Sequence, residues 1–284
     1  MTDEIDLSGS WTLMETGGAA EVHCPLPGDA ITALAAAGVI PEPYGGRNEY
    51  DCRWVAERDW EMRRTFDAVP GAGWVLEADG LDTVAEVAVN GETVLKADNA
   101  FRRWRVRLPD GLVRETGNEV AIRFPSALAE ANRRQAAQPF PVPYHEENCP
   151  LPNGNMLRKP QCDFGWDWNI ALAPFGVTGA IRLEPRRAGR IAAVAVEQRH
   201  EGGTAHVTVR MPGGVEGAAA QATLCGQGAE AEVAGGGATL CLAIPDRAVV
   251  AERARAAGAA RVARDMRHLD SHSPDRPARR ASRL

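Results

Sequence analysis

The segment Arg158-Lys159-Pro160-Gln161-Cys162-Asp163-Phe164-Gly165-Trp166-Asp167-Trp168 sets two indoles on either side of a carboxylate. Two cations stand upstream of it, and a proline-rich run from Pro139 to Pro152 precedes it. These residue types at this spacing suit the holding of a sugar. An indole packs on the C–H face of a pyranose, while a carboxylate accepts charge-assisted hydrogen bonds from a pair of hydroxyls. Trp166, Asp167, Lys159 and Arg158 are therefore the candidate substrate-binding residues. A buried tryptophan pair with a loop-capping Asp167 satisfies the same letters, and Trp168 is expected in the core. Arg158 and Lys159 serve equally as groups that orient Asp167, contact a ligand directly or form an ion pair inside the loop.

Other chemistry is poorly supported. His145 stands beside Glu146-Glu147 but without further ligands at metal-binding spacing, so no metal is expected. The turns at 212–214 and 235–237 lack the helix and lysine of a phosphate loop, and no cofactor is expected. Six cysteines at 24, 52, 149, 162, 225 and 241 show no paired short spacing, which fits reduced thiols in a cytoplasmic protein. The acidic start Met1-Thr2-Asp3-Glu4 lacks the apolar segment of a secretory signal. No apolar run is long enough to span a membrane. The net charge of −6 is unevenly spread. Residues 247–284 hold ten arginines and four acids, which leaves 22 basic and 34 acidic side chains for the rest. So acidic a body argues against a nucleic-acid partner.

The elements that must position the motif read as β throughout. Trp104, Val106 and Leu108 alternate with Arg103, Arg105 and Arg107, a period of two that gives one apolar sheet face. Val120, Ile122 and Phe124 repeat it, as do Trp60, Met62 and Phe66, with Arg64 as the exception. Asn90-Gly91 between Val87–Val89 and Val94–Leu95 predicts a type I′ hairpin, whose two central residues need positive φ. One short helix is expected over Ala30–Ala37, capped by Asp29 and stopped at Gly38. Short strands, Gly/Pro turns and no βαβ alternation predict an all-β fold, a jelly-roll-like sandwich over residues 1–185. Beyond Phe175 there is no aromatic residue. Alternation continues in Ala205-Val207-Val209 and Leu240-Leu242-Ile244, which predicts a small second sandwich over 190–246 with an aliphatic core. Pro185-Arg186-Arg187-Ala188-Gly189 is the expected linker.

Several ordered motifs between residues 7 and 185 resemble the N-terminal sugar-binding domain of β-mannosidases of glycoside hydrolase family two. They are Leu26-Pro27-Gly28-Asp29, Gly38 to Tyr44, Asn48-Glu49, Asp59 to Phe66, Gly80 to Gly91, Asp98 to Trp104, and Phe164-Gly165-Trp166-Asp167-Trp168 after Arg158-Lys159. Asn169-Ile170 depart from the Gly-Pro that usually follows in that family. The resemblance implies a galactose-binding-type jelly roll, then an immunoglobulin-like sandwich that is incomplete here, then a catalytic barrel. It implies that Asp167 accepts hydrogen bonds from hydroxyls of a terminal non-reducing β-mannose and that Trp166 walls the subsite. The substrate would be a β-mannoside or manno-oligosaccharide, cleaved from its end with retention.

Retaining glycosidases need two carboxyl groups about 5 Å apart, and the resembled family carries both on the barrel. Asn48-Glu49 and Asn118-Glu119 imitate an acid/base pair only superficially; the first belongs to a motif of the sugar-binding domain, and the second precedes a strand in a turn. No catalytic residue is therefore expected in this chain, and the barrel is the missing partner. The family continues with Trp-Trp-Pro-x-Gly-x-Gly where this chain has Val249 to Ala256. Synonymous codons can be chosen for those residues that, read from their second base, spell Trp-Trp-Pro-Ser-Gly-Leu-Gly, so the chain is compatible with a shifted frame. Residues from Val249 to Leu284 are thus expected to be an out-of-frame product, disordered or with a spurious helix over 251–268, with a natural Arg/Ala-rich tail as the alternative. Three readings follow: a truncated β-mannosidase, inactive alone; another enzyme of the same family (β-galactosidase, β-glucuronidase or exo-glucosaminidase); or a free-standing, non-catalytic carbohydrate-binding module.

Overall fold

The computed structural model describes residues 4–186, 190–191 and 193–245. The chain divides into two compact units, Met1–Arg186 and Arg187–Leu284. Both are built from antiparallel strands, as the period-two patterns require. No helix among the described residues is long and apolar enough to cross a membrane.

In the first unit, a six-stranded sheet runs in the spatial order Glu21–Leu26, Gly9–Glu15, Trp60–Phe66, Asn118–Phe124, Val84–Val89, Glu92–Asp98. A four-stranded sheet runs Ile5–Asp6, Ile181–Glu184, Val75–Asp79, Arg103–Arg107. Their inner faces share one core that includes Leu13, Trp60, Met62 and Ile122 from the larger sheet and Leu76, Trp104, Ile181 and Leu183 from the smaller. Each such side chain contributes about 1.5–3 kcal/mol on burial. Within Asn118–Phe124 the even positions are buried and Arg123 faces out, as alternation demands. Arg64 breaks the pattern on its strand, and its guanidinium donates to the carbonyls of Leu7, at 3.0 Å, and Ser8. Asn90 and Gly91 take φ of 50° and 83° in the hairpin between Val84–Val89 and Glu92–Asp98. Asn118, expected in a turn, is instead the first residue of its strand and fully buried.

Among the described residues three α-helices form where one was expected. α1 (Ala30–Ala36) starts where Asp29 accepts from Thr32 N–H at 2.9 Å, and Gly38 beyond its end has φ 71°. α2 (Asn48–Cys52) and α3 (Ala127–Ala136) are additions. Ser126 caps α3 by accepting from Ala129 N–H at 3.1 Å, an N-terminal signal readable in the sequence. Leu128 and Ala131 of α3 then bury against Leu151, Leu157, Phe164, Ala171 and Ala173, a satellite core beneath the candidate site.

The second unit contains a three-stranded sheet, Ala195–Glu201, Thr204–Pro212, Gly237–Pro245, and a pair, Ala219–Leu224 with Gln227–Glu232. Val207, Val209 and Met211 pack with Leu240, Leu242, Ile244, Ala220, Ala222 and Val233 into an aliphatic core. The out-of-frame expectation from Val249 falls on residues outside those described.

Candidate functional site

The Trp-Asp-Trp segment is a two-residue turn whose ends are bonded to each other. Trp166 N–H donates to Asn169 O at 3.0 Å, and Asn169 N–H donates to Trp166 O at 3.3 Å, so Asp167 and Trp168 form the tip. Gly165 delivers the chain into this turn at φ 107°, and a Cβ there would lie 2.5 Å from Pro150 Cδ and 3.0 Å from Asn148 O. Only glycine passes. Immediately upstream, Gln161–Phe164 forms a 3₁₀ turn whose Phe164 is buried in the satellite core. Asn169 secures the far side by donating its side-chain amide to Cys162 O at 2.9 Å.

The tip is open. Trp166 is 37% exposed and Trp168 70%, and Asp167 is exposed as well. The expectation that Trp168 belongs to the core is corrected. The turn is closed by backbone bonds, so nothing forces the second indole inward. Trp166 has an aromatic neighbour in the imidazole of His145, at 5.8 Å between centroids. An exposed indole pair with a carboxylate between them presents both a stacking surface and an acceptor to a polyol.

The two upstream cations part company. Arg158 is exposed, and its guanidinium has no hydrogen bond or ion pair among the described residues. Its backbone carbonyl accepts from Ala100 N–H at 2.9 Å, which ties the loop to the sandwich. Lys159 is 3% exposed. Its ammonium donates to Asp82 at 3.2 Å and to Asp163, four residues along. Of the roles open to Lys159, the structure displays the ion pair inside the loop: its ammonium is buried and shared by two carboxylates. Burial pushes the Asp163 carboxyl above its usual range, Lys159 draws it back, and Asp82 and Asp29 add to the rise. The Asp163 carbonyl accepts from Leu172 N–H at 3.2 Å and Ala173 N–H at 2.8 Å, so one residue anchors both sides of the turn. The i,i+4 spacing of Lys159 and Asp163 is a signal visible in the sequence; Asp82, 77 residues away, leaves none.

The Asn-Glu pairs have structural employment. Glu49 is ion-paired with Arg53 on the next helical turn. Asn118 donates to Arg114 O at 2.7 Å and accepts from Asn90 at 2.9 Å and from Arg114 N–H at 2.8 Å. Beside the turn, Asn169 and Ile170 continue into a cleft of about 560 Å³ against α1, which Tyr44 joins through a 3.4 Å bond from its hydroxyl to Asn169 Oδ1.

Comparison with known proteins bears on this geometry. Residues 11–179 match the family model described as the glycosyl hydrolase 2 galactose-binding domain-like domain. The chain is 36% identical over 173 residues to β-mannosidase A of Emericella nidulans, covering 58% of this chain and 18% of that protein. It is 31% identical over 191 residues to the β-mannosidase of Bos taurus, covering 63% of this chain and 21% of that protein. It thus spans about a fifth of the length of the curated relatives it matches. Among solved structures, the β-D-mannosidase of Dictyoglomus thermophilum aligns with a TM-score of 0.71 at 25% identity, over 86% of this chain and 31% of that one.

Proposed function

The chain belongs to the glycosyl hydrolase 2 galactose-binding domain-like family, and from that premise we propose that it is the sugar-binding front section of a β-mannosidase. In this reading Trp166 and Asp167 form one wall of the subsite that receives a terminal non-reducing β-mannose, and Arg158 stands ready at its rim. The reacting carboxylates belong to a barrel outside this chain, so the chain alone does not hydrolyse a glycoside. The intact enzyme removes single mannose units with retention, and the cysteines of this chain, which form no disulfide among the described residues, fit a cytoplasmic setting.

One observation carries the reading: within the matched region, the indole–carboxylate turn is held rigidly by its own backbone and by Asp163, while its tip faces solvent. A side chain kept exposed by a built support is positioned for contact with something else.

The test joins residues 1–245 to the remaining domains of a β-mannosidase and follows release of nitrophenol from p-nitrophenyl β-mannoside. The isolated chain is expected to release none and the fusion to be active. Asp167→Asn in the fusion is expected to lower kcat/KM about 10- to 100-fold, the loss of a hydrogen bond to a charged group worth about 1.5–3 kcal/mol. Hydrolysis by the isolated chain, or an Asp167→Asn fusion as active as its parent, overturns the proposal.

The 70% exposure of Trp168 favours a second reading, a binding module that works without a barrel. Calorimetry separates the two. The module predicts mannose or mannobiose affinity in the isolated chain, lost in Trp166→Ala; the front-section reading predicts negligible heat, because half of the pocket is absent.

A further inference from the structure

We propose that the cleft between α1 and the segment Asn169–Pro174 is a second binding site, adjoining the Trp166–Asp167 turn, and that its ligand is an amino sugar in pyranose form.

The site has a floor and a set of acceptors. Ile31, Ala35, Ile170, Leu172 and Pro174 give it an apolar surface, and its volume of about 560 Å³ lies within the range of about 300–1,000 Å³ usual for small-molecule sites. Tyr44 stands at the mouth with its ring 72% exposed. An exposed aromatic ring over an apolar floor is a surface for the C–H face of a pyranose rather than for a compact ion.

Three carboxylates line the same space, those of Asp29, Glu42 and Asp163, and none of the described residues lining it is Lys, Arg or His. Each carboxylate is held by donors within the chain. Asp29 takes Thr32 N–H at 2.9 Å and Thr32 Oγ1 at 2.7 Å, Glu42 takes Tyr44 N–H at 3.4 Å, and Asp163 takes Lys159. A carboxylate offers about four lone-pair sites, so acceptor capacity remains on all three while their orientations are set in advance. Asp29 adds to the rise of the Asp163 carboxyl, and the Lys159 ammonium that pairs with Asp163 is shared with Asp82. A ligand that brings an ammonium and several hydroxyl donors relieves this excess. A uronate adds to it.

The cleft adjoins the Trp166–Asp167 turn and shares Asp163 and Asn169 with its support, but the residues changed in its test, Ala36 and Tyr44, lie outside that turn, so the two readings are tested separately. Ala36 is exposed at the end of α1 and lines the cleft, so Ala36→Trp fills the space without touching the core. Tyr44→Ala, also at the surface, removes the stacking ring.

The experiment is a ligand-observed NMR titration of the full chain with glucosamine, N-acetylglucosamine, glucuronate and ethylamine, repeated in both variants. Glucosamine is expected to bind, N-acetylglucosamine and ethylamine to bind at least tenfold more weakly, and glucuronate not at all. Either variant is expected to weaken glucosamine at least tenfold while its melting transition stays intact. If Ala36→Trp fails to fold, Tyr44→Ala alone decides. Undetectable glucosamine binding, equal binding of N-acetylglucosamine or ethylamine, or glucosamine affinity unchanged in Tyr44→Ala overturns the proposal.

Discussion

The ammonium of Lys159 lies 3.2 Å from the carboxylate of Asp82, and the pair joins segments 77 residues apart beneath the indole–carboxylate turn. The same ammonium reaches Asp163, whose carbonyl receives Leu172 and Ala173, so the charge cluster and the base of the turn are a single mechanical unit. Buried charges of this kind stabilise only while all are present.

Replacing Lys159 with Met leaves Asp82 and Asp163 facing each other without a counter-ion. A loss of about 3–5 kcal/mol in unfolding free energy is expected, read from urea denaturation at neutral pH. A loss under about 1 kcal/mol means that the cluster is not what holds the loop.

Gly165→Ala tests the entry to the turn. With φ 107° and Pro150 Cδ 2.5 Å from the added methyl, strain of about 1–3 kcal/mol is expected, together with a changed Trp166 and Trp168 fluorescence maximum as the tip shifts. An unchanged spectrum and melting temperature contradict the geometry.

Trp168→Ala and Trp60→Ala separate a surface indole from a core one. The first, 70% exposed, is expected to change stability by no more than about 0.5 kcal/mol. The second, fully buried and bonded through its indole N–H to Val55 O at 2.9 Å, is expected to cost about 3–5 kcal/mol. Thermal melts of the two variants check the pair.

Glu130 on α3 is held by Arg133 and Arg134, and the Arg133 hydrogen bond leads the causes that lower its carboxyl from 4.5 to about 2. The folded value lies below the unfolded one, so the contribution is present above about pH 4.5 and disappears as pH falls toward 2. Glu130→Gln is expected to cost under about 1 kcal/mol at pH 7, as partly exposed ion pairs do, and much less at pH 2, where the carboxyl is about half protonated. A cost that persists undiminished at pH 2 refutes the assignment.

Thiol labelling reports the core directly. Burial raises the Cys24 thiol to about 11, and Cys52 is raised as well, whereas Cys241 is exposed. A disulfide reagent at pH 8 is expected to modify Cys241 first and to reach Cys24 and Cys52 only on unfolding, as peptide mapping of timed samples will show.

Much of the architecture was legible because it is written in neighbours. Alternation in Val120-Ala121-Ile122 and in Val207-Thr208-Val209 follows from the two-residue repeat of a strand, and Asn90-Gly91 specifies its hairpin through the positive φ both residues tolerate. Asp29, Ala30 to Ala36 and Gly38 mark α1 in the same local way; Ser126 marks α3 too, although α3 went unpredicted. The Trp-Asp-Trp letters alone fitted a sugar site or a buried tryptophan pair; it was the family resemblance that favoured the sugar.

Tertiary structure decided what each side chain of that motif faces. Lys159 and Arg158 are adjacent cations, yet one is buried against Asp82 and the other stands in solvent. Trp166 and Trp168 are the same residue type two positions apart, and both lie open because Gly165 and the Trp166–Asn169 bonds turn the chain outward. The cleft at Asn169 requires Tyr44 and α1 to arrive from more than a hundred residues away. Period and cap are properties of a few consecutive residues, whereas burial depends on which distant surface packs against a side chain, and no window along the sequence contains that surface.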